Sequence, residues 1–539
     1  MIKPPLSIGI ATLAVLALQT VPVSAYVPDE RWTVTSSGAT GASGTPITLT
    51  WSFAPDGTSI PGEGASELIA YLDGLFNVAA TGADFTQRPW FRLFEQSFDR
   101  WSELGGITFL YEPSDNGSVL QSSGGVRGVR GDLRLGGAFI DGANGTLAFT
   151  WLPNSGDVVV DTGETNFFSN SANNYRALRN TIMHEVGHAL GFLHIASSTD
   201  ALLLEPMINL GIDGPQLDDI RGIHGFYGDA LEKTNNGLGN GTYQRATALG
   251  PLTTGATLTI GSDAFGGQAV SALETDFVSI ANNSDFDFFS FTVASPILLD
   301  VMLTPLGGVF NQGPEGSPQS MFDANSRSDL SLDVFASNGT TLLSSANLTG
   351  AGGSEVLTDL ELSSTGTYFI RVRGNSANVQ LYELDLSAAV LSIALAGDFN
   401  GDGIVDAADY VVWRNNVGQF GSSLSADGNG DGTVDLADYG IWKANFGRGA
   451  GSGSFVIASV PEPNSNTLLS VGALMAMIQF ALISGRRMTK MRRLDRLHAC
   501  DTVRPLSRFV RRRLYTPAGE NTDQTPRGSG DSSFRSASV

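Results

Sequence analysis

Cysteine is almost missing. The 539 residues contain one, Cys500, so no intrachain disulfide holds this protein together, and bound metal ions become a plausible source of extra stability. Basic residues are also scarce. Thirty-two Lys and Arg face 54 Asp and Glu, a net charge of −22, which argues against a nucleic-acid partner. The basic residues cluster in 486–539, so everything upstream is more acidic than the whole. Histidine is rarer still, with five in the chain. What the chain has in quantity is glycine, 65 residues, together with Ser, Thr and Asn. That composition suits β-rich, extracellular domains, and the length accommodates three or more of them.

Three of the five histidines fall in one segment, His184-Glu185-Val186-Gly187-His188-Ala189-Leu190-Gly191-Phe192-Leu193-His194. It reads H-E-x-x-H-x-x-G-x-x-H. His184 and His188 are four apart, so a helix places them one turn apart on one face, where both can grip one metal ion. Glu185 is placed to take a proton from a water on that metal. Gly191 turns the chain out of the helix, since only glycine takes positive φ at low cost, and brings His194 round as third ligand. Three neutral imidazoles leave one tetrahedral position open, the mark of a catalytic zinc rather than a structural one.

The motif resembles that of the metzincins, and its surroundings resemble the matrixins, over about residues 45–229. The resemblance implies a zinc metalloendopeptidase with peptide or protein substrates. It assigns His184, His188 and His194 to zinc, Glu185 to general base catalysis, and Met207 to the methionine turn, a hydrophobic floor beneath the metal. Leu217 to Ile223 and Phe226-Tyr227-Gly228 match the family's C-terminal helix. Ile140 to Ala148 resembles its calcium loop and substrate-pairing strand. Asp141, Asp161 and Glu164 are then calcium ligands, and Leu147 and Ala148 pair with extended substrate. The departures are also specific. Phe149 and Val159 stand where a second, structural zinc would have histidines, so that zinc is expected to be absent. Cys500 is too remote to act as a latency switch, and the signal peptide leaves no room for a propeptide. Ile195 follows the third histidine, where Ser is usual. Ile208-Asn209 replace a Pro-x-Tyr wall, which alters the expected S1′ pocket.

The predicted catalytic domain, 26–229, is α+β, with a twisted mixed sheet and two long helices. Strands are expected at 47–53, 131–138, 146–151 and 157–161, a helix over 90–104, and the histidine helix over about 175–192. Residues 230–245 read as a polar linker. Residues 246–388 alternate in short strands and predict a β-sandwich, which resembles the bacterial pre-peptidase C-terminal domain. There Asp285, Asp287 and Asp333 are either calcium donors or solvated strand-edge acids.

Residues 396–448 contain a duplicated loop. Asp398, Asn400, Asp402, Asp406 and Asp409 take positions 1, 3, 5, 9 and 12 of an EF-hand calcium loop, and Ile404 offers its carbonyl at position 7. Asp427, Asn429, Asp431, Thr433, Asp435 and Asp438 repeat the pattern. Aspartate at position 12 and the pairing of two loops resemble a dockerin. This implies a small α-helical calcium module, at least two structural Ca2+ ions and a cohesin-like partner.

The ends read as addresses. Residues 1–25 form a signal peptide, with an apolar run at 6–19 and Val23-Ser24-Ala25 before the cleavage point. After a Gly/Ser linker at 449–459, Val460-Pro461-Glu462-Pro463 precedes an apolar run at 467–485 and Arg486-Arg487. That order resembles the PEP-CTERM sorting signal at 460–487, which implies an exosortase-type enzyme, a C-terminal membrane helix before processing, and a surface or outer-envelope location in a Gram-negative-type bacterium. A basic tail at 488–539 is expected to be disordered. The whole predicts an exported, surface-sorted zinc endopeptidase. The alternative is a calcium-stabilised adhesion or matrix protein whose peptidase domain is inactive.

Overall fold

In the computed structural model the described residues are 26–449, apart from 39, 80, 81, 83, 122, 123, 200, 266–268 and 392–394. The expected signal peptide, the sorting segment, the tail and almost all of the linker at 449–459 lie outside them. Among the described residues no helix is long and apolar enough to cross a membrane. The chain forms two compact units, Met1–Ile393 and Ala394–Val539.

The first unit starts from a five-stranded mixed sheet. Its order is Ile107–Tyr111, Ile47–Phe53, Leu133–Ala138, Val158–Asp161 and Ala148–Thr150. The first three pairings are parallel and the last is antiparallel, so Ala148–Thr150 is an edge strand. Leu133–Ala138 and Val158–Asp161 are buried throughout, as parallel strands covered on both faces must be. The helix Phe91–Leu104 lays Phe94, Phe98, Trp101 and Leu104 along one buried stripe. The Phe98 ring stacks 4.5 Å from that of Trp51. Trp101 Nε1 donates to the Met183 carbonyl at 2.9 Å, which ties this helix to the helix Ala172–Ala189 that carries the first two motif histidines. Asn173, Asn174 and Tyr175 have positive φ, so the regular turns of that helix begin just beyond them.

An ion pair lies deep inside this sheet. Arg134, on a central strand, meets Asp115 through two nitrogens, Nε to Oδ2 at 2.8 Å and Nη2 to Oδ1 at 2.6 Å. Both side chains are 1% exposed.

The β-sandwich follows. One sheet orders Thr247–Pro251, Phe286–Val293, Gly366–Gly374, Leu330–Phe335 and Leu342–Ala346. The other orders Thr257–Ile260, Gln380–Val390, Ile297–Leu306 and Glu355–Leu362, and Val278–Ile280 also pairs with Gln380–Val390. Phe289, Leu299, Leu332, Ile370 and Leu384 fill the space between. The sandwich is docked on the first domain. Arg100 donates to the carbonyls of Ser271 and Glu274. Gln216 exchanges two hydrogen bonds with Val270, and Phe277 and Leu381 join the first domain's core.

Residues 230–245 are not a free spacer. They form the helical turns Ala230–Lys233, Thr234–Gly237 and Tyr243–Arg245, started by Asp229, whose carboxylate accepts from Leu231 N. Lys233 Nζ donates to the Ser102 and Ile107 carbonyls. The segment's polar residues satisfy backbone groups of the domains they join, so polarity here does not mean solvation.

Glu232 meets Asp285 and Asp287, with carboxylate oxygens within 4.8 Å of one another. Asp333 is elsewhere, paired with Arg371 at 2.7 Å. Asp287 is fully buried and accepts from Tyr382 Oη at 2.6 Å. Burial, and then the neighbouring acids, push Glu232 up to about 8 and Asp287 well above the carboxylate range. Burial raises Asp229 to about 7 and Asp285 to about 6. Between their unfolded and folded pKa values these groups hold more protons folded than unfolded, so stability falls as pH rises. In buffer free of divalent cations the melting temperature is expected to drop between about pH 5 and about pH 8. Asp287→Asn should flatten that slope; an unchanged slope would show that the cluster does not set it.

The second unit repeats one pattern twice. Asp398 accepts from the Gly401 and Gly403 amides, and Asp427 from those of Gly430 and Gly432. Asp409 and Asp438 close the loops and complete capping boxes with Asp406 and Asp435 on the helices Ala407–Asn416 and Leu436–Asn445. Trp413 Nε1 donates to the Asp435 carbonyl and Trp442 Nε1 to the Asp406 carbonyl, so each helix pins the other's loop. The rings of Tyr410, Trp413, Tyr439 and Trp442 pack at tilted angles across the pair, as core.

Candidate active site

Two features of the histidine helix create the site. Gly187 sits where Leu204 packs, and a Cβ there would lie 2.5 Å from Leu204 Cδ2. Gly191 follows the helix end at φ +102°, with the Glu30 carbonyl 1.9 Å from where a Cβ would stand. Any side chain would break both the turn and that contact. Trp32 Nε1 and Tyr227 Oη donate to the end carbonyls of Ala189 and Leu190, which a helix terminus otherwise leaves unpaired. The chain reverses and returns His194 to the helix.

The three imidazoles meet through Nε2. His184 Nε2 is 3.0 Å from His188 Nε2 and 3.2 Å from His194 Nε2. Each Nδ1 faces an acceptor: the Leu203 carbonyl at 2.7 Å for His184, the Phe192 carbonyl at 2.6 Å for His188, and Glu315 Oε2 at 2.9 Å for His194. A ring that donates from Nδ1 presents a bare lone pair at Nε2. Three lone pairs so close repel one another unless a cation lies between them. Ligands on about 2.0 Å arms of a tetrahedron stand about 3.3 Å apart, so the cluster fits zinc. Burial, then the neighbouring histidine, lowers the His184 pKa well below its ordinary value, and burial lowers that of His188 to about 4. Both are therefore neutral at pH 7, as ligation requires.

Glu185 is buried beside them. Burial pushes its carboxyl up to about 7, against the hydrogen bond that Thr150 Oγ1 donates to Oε2 at 2.6 Å. Thr150 belongs to the edge strand Ala148–Thr150, so the acid is bonded directly to the edge of the sheet.

Residues 75–228 match the family model described as matrixin, and residues 285–374 match the bacterial pre-peptidase C-terminal domain. The chain carries a matrixin domain. Metalloendoproteinase 2-MMP of Arabidopsis thaliana is 31% identical over 144 residues, which cover 25% of this chain and 36% of that protein. Metalloendoproteinase 5-MMP of the same plant is 32% identical over 164 residues, 28% of this chain and 42% of that protein. The chain thus spans less than half the length of these relatives. A solved pre-peptidase C-terminal domain of a collagenase from Bacillus anthracis is 14% identical, covers 26% of this chain and 94% of that one, and has a TM-score of 0.15, too slight a likeness to define the fold.

Other expected residues of the matrixin domain fall as follows. Leu147 and Ala148 lie at the edge strand, and Leu147 O accepts from Asp161 N. Asp141, Asp161 and Glu164 gather round the loop 140–146, each accepting from backbone amides in or beside it. Asp161 accepts from the Ile140, Gly142 and Gly163 amides, Glu164 from Gly145 N, and Asp141 from Thr146. Phe149 packs edge-on against Trp151, and Val159 is fully buried.

Met207 is not a floor beneath the histidines. It is 66% exposed and lines a surface groove of about 470 Å³ with Ala196, Glu205, Pro206, Ile208, Asn209 and Leu210. The buried run Leu202–Leu204 takes the inner place, because Leu204 fits against Gly187 and Leu203 offers its carbonyl to His184. Asp219 holds that run by accepting from Leu203 N at 2.9 Å while also accepting from Gln216 N in a capping box. Thr150, Leu203, Asp219 and Glu315 also hold residues of the site or its inner wall. An acid at N3 of a helix was a visible capping signal for Asp219. Nothing local pointed to the other three.

Proposed function

We propose that this protein is an exported, surface-sorted zinc metalloendopeptidase. The observation that supports it most is the convergence of three inward-facing Nε2 atoms beside one buried glutamate. His184, His188 and His194 would hold the ion. When bound, zinc supplies the Lewis acidity that polarises a carbonyl and acidifies water. The edge strand at Leu147-Ala148 would align extended substrate by adding a strand. Glu185 would take a proton at its carboxylate and return it to the leaving amine, with Thr150 fixing the direction in which that carboxylate faces. The deciding experiment is zinc content together with casein or gelatin cleavage by the full chain. One zinc per chain with cleavage supports the proposal, whereas a chain that binds no zinc overturns it.

The duplicated acidic loops support a calcium-binding, dockerin-like module with a cohesin-like partner. Each loop presents oxygens from Asp398, Asn400, Asp402, Asp406 and Asp409, or from their counterparts Asp427, Asn429, Asp431, Asp435 and Asp438. Because Trp413 and Trp442 bond to the loops, calcium titration of chelated protein should change tryptophan fluorescence with two ions bound per chain. A spectrum indifferent to calcium counts against the module.

A further inference from the structure

The three histidines are not held alike. His184 and His188 rest on backbone carbonyls of their own domain. His194 rests on Glu315, a side chain from the β-sandwich 121 residues further along the chain. Its side chain is 32% exposed, whereas His184 is buried.

A built element brings Glu315 there. The hairpin of Val309–Pro314 and Ser320–Asp323 projects from the sandwich and adds to Ile195–Ser197, the residues directly after His194. The pairing is antiparallel, Ile195 with Pro314 and Ser197 with Gln312. That register sets Glu315 opposite His194, and Glu315 N donates to the His194 carbonyl at 3.4 Å. Ser198 N donates to the Asn311 carbonyl at 3.0 Å. The hairpin is anchored away from the site as well. Gln312 Nε2 donates to buried Asp218 at 2.9 Å, and the Arg221 guanidinium lies 4.5 Å over the Phe322 ring. Register and anchors leave the carboxylate little freedom to face elsewhere.

We propose that Glu315 is a positioning residue for the metal site, so that the β-sandwich completes the third ligand of the matrixin domain. Its carboxylate accepts a hydrogen bond from His194 Nδ1–H, fixes the tautomer with Nε2 free, and aims that lone pair at the other two. Such outer partners commonly change metal affinity by about 10- to 100-fold. The inference rests on reading the triad as a zinc site.

The test is zinc affinity, measured on the full chain by competition with a chromogenic chelator. Glu315→Ala should weaken binding by about 10- to 100-fold. Glu315→Gln, whose amide oxygen still accepts from Nδ1, should recover most of the loss. Glu315 is 56% exposed, so the melting temperature of the metal-free protein should not move in either variant. Wild-type affinity in Glu315→Ala overturns the proposal. So does an equal loss in both variants together with a lowered melting temperature, since that would mark a folding role. If the wild-type chain itself binds no zinc, the zinc-site reading has failed instead.

Discussion

Glu185→Gln should lower kcat/KM for peptide hydrolysis by about 10²- to 10⁴-fold, the range general-base removal commonly reaches. The amide matches the carboxylate in size and can still accept from Thr150 Oγ1, so geometry should survive. The lost property is proton acceptance, and an amide has none at neutral pH. Zinc content should remain that of the wild type, because the three imidazoles contribute the ligand atoms and Glu185 touches none of their Nδ1 partners. The pair of measurements is decisive. Full zinc with lost cleavage places Glu185 in the chemistry. Full zinc with cleavage near the wild-type rate would remove it, and the proposed mechanism with it.

The second large effect concerns stability. Asp115→Ala should destabilise the first unit by about 3–5 kcal/mol, the usual result of breaking a buried ion pair by one partner. The loss is large because Arg134 stays behind, 1% exposed, with its guanidinium stripped of both water and counter-charge. Asp115 also accepts from Ser52 Oγ at 2.8 Å and Gly117 N at 2.9 Å, so those donors lose a partner too. Typical stabilities are about 5–15 kcal/mol, so the change should be visible in urea unfolding followed by tryptophan fluorescence. Adding Arg134→Met should restore much of the loss, since a paired apolar replacement often matches a buried ion pair. A single variant within about 1 kcal/mol of wild type would mean that water reaches the guanidinium.

Local patterns were well expressed in the residues. Ile47–Phe53 alternates and is a strand over that range. The stripe Phe94, Phe98 and Trp101 put a helix at Phe91–Leu104. The motif spacing alone brought His184, His188 and Glu185 to one helix, because 3.6 residues per turn permits nothing else. Gly191 foretold the turn that returns His194. The duplicated loops declared a small helical module, and the structure has the helices Ala407–Asn416 and Leu436–Asn445 there.

Contacts between distant segments were another matter. Met207 looked like the residue beneath the histidines because a methionine after the third histidine is what such a turn usually offers. The chain instead buries Leu202–Leu204, since Gly187 leaves a space shaped for Leu204 and Asp219 captures the Leu203 amide. Residues 230–245 looked like a spacer because their polarity is local information, whereas their partners, the Ser102 carbonyl among them, are far away in sequence. Glu315 carries no signal of its own in a stretch reading Gly-Pro-Glu-Gly-Ser. It gains a role only when a hairpin in the sandwich pairs with the three residues after His194. Spacing along the chain already specified the candidate ligand set, the candidate general base and the elements that carry them, because helix periodicity and turn chemistry act over a few residues. What lies beneath the histidines, what faces Glu185 and what meets His194 Nδ1 emerged in the folded chain alone, because those are contacts across 19, 35 and 121 residues of chain, set by packing rather than by spacing.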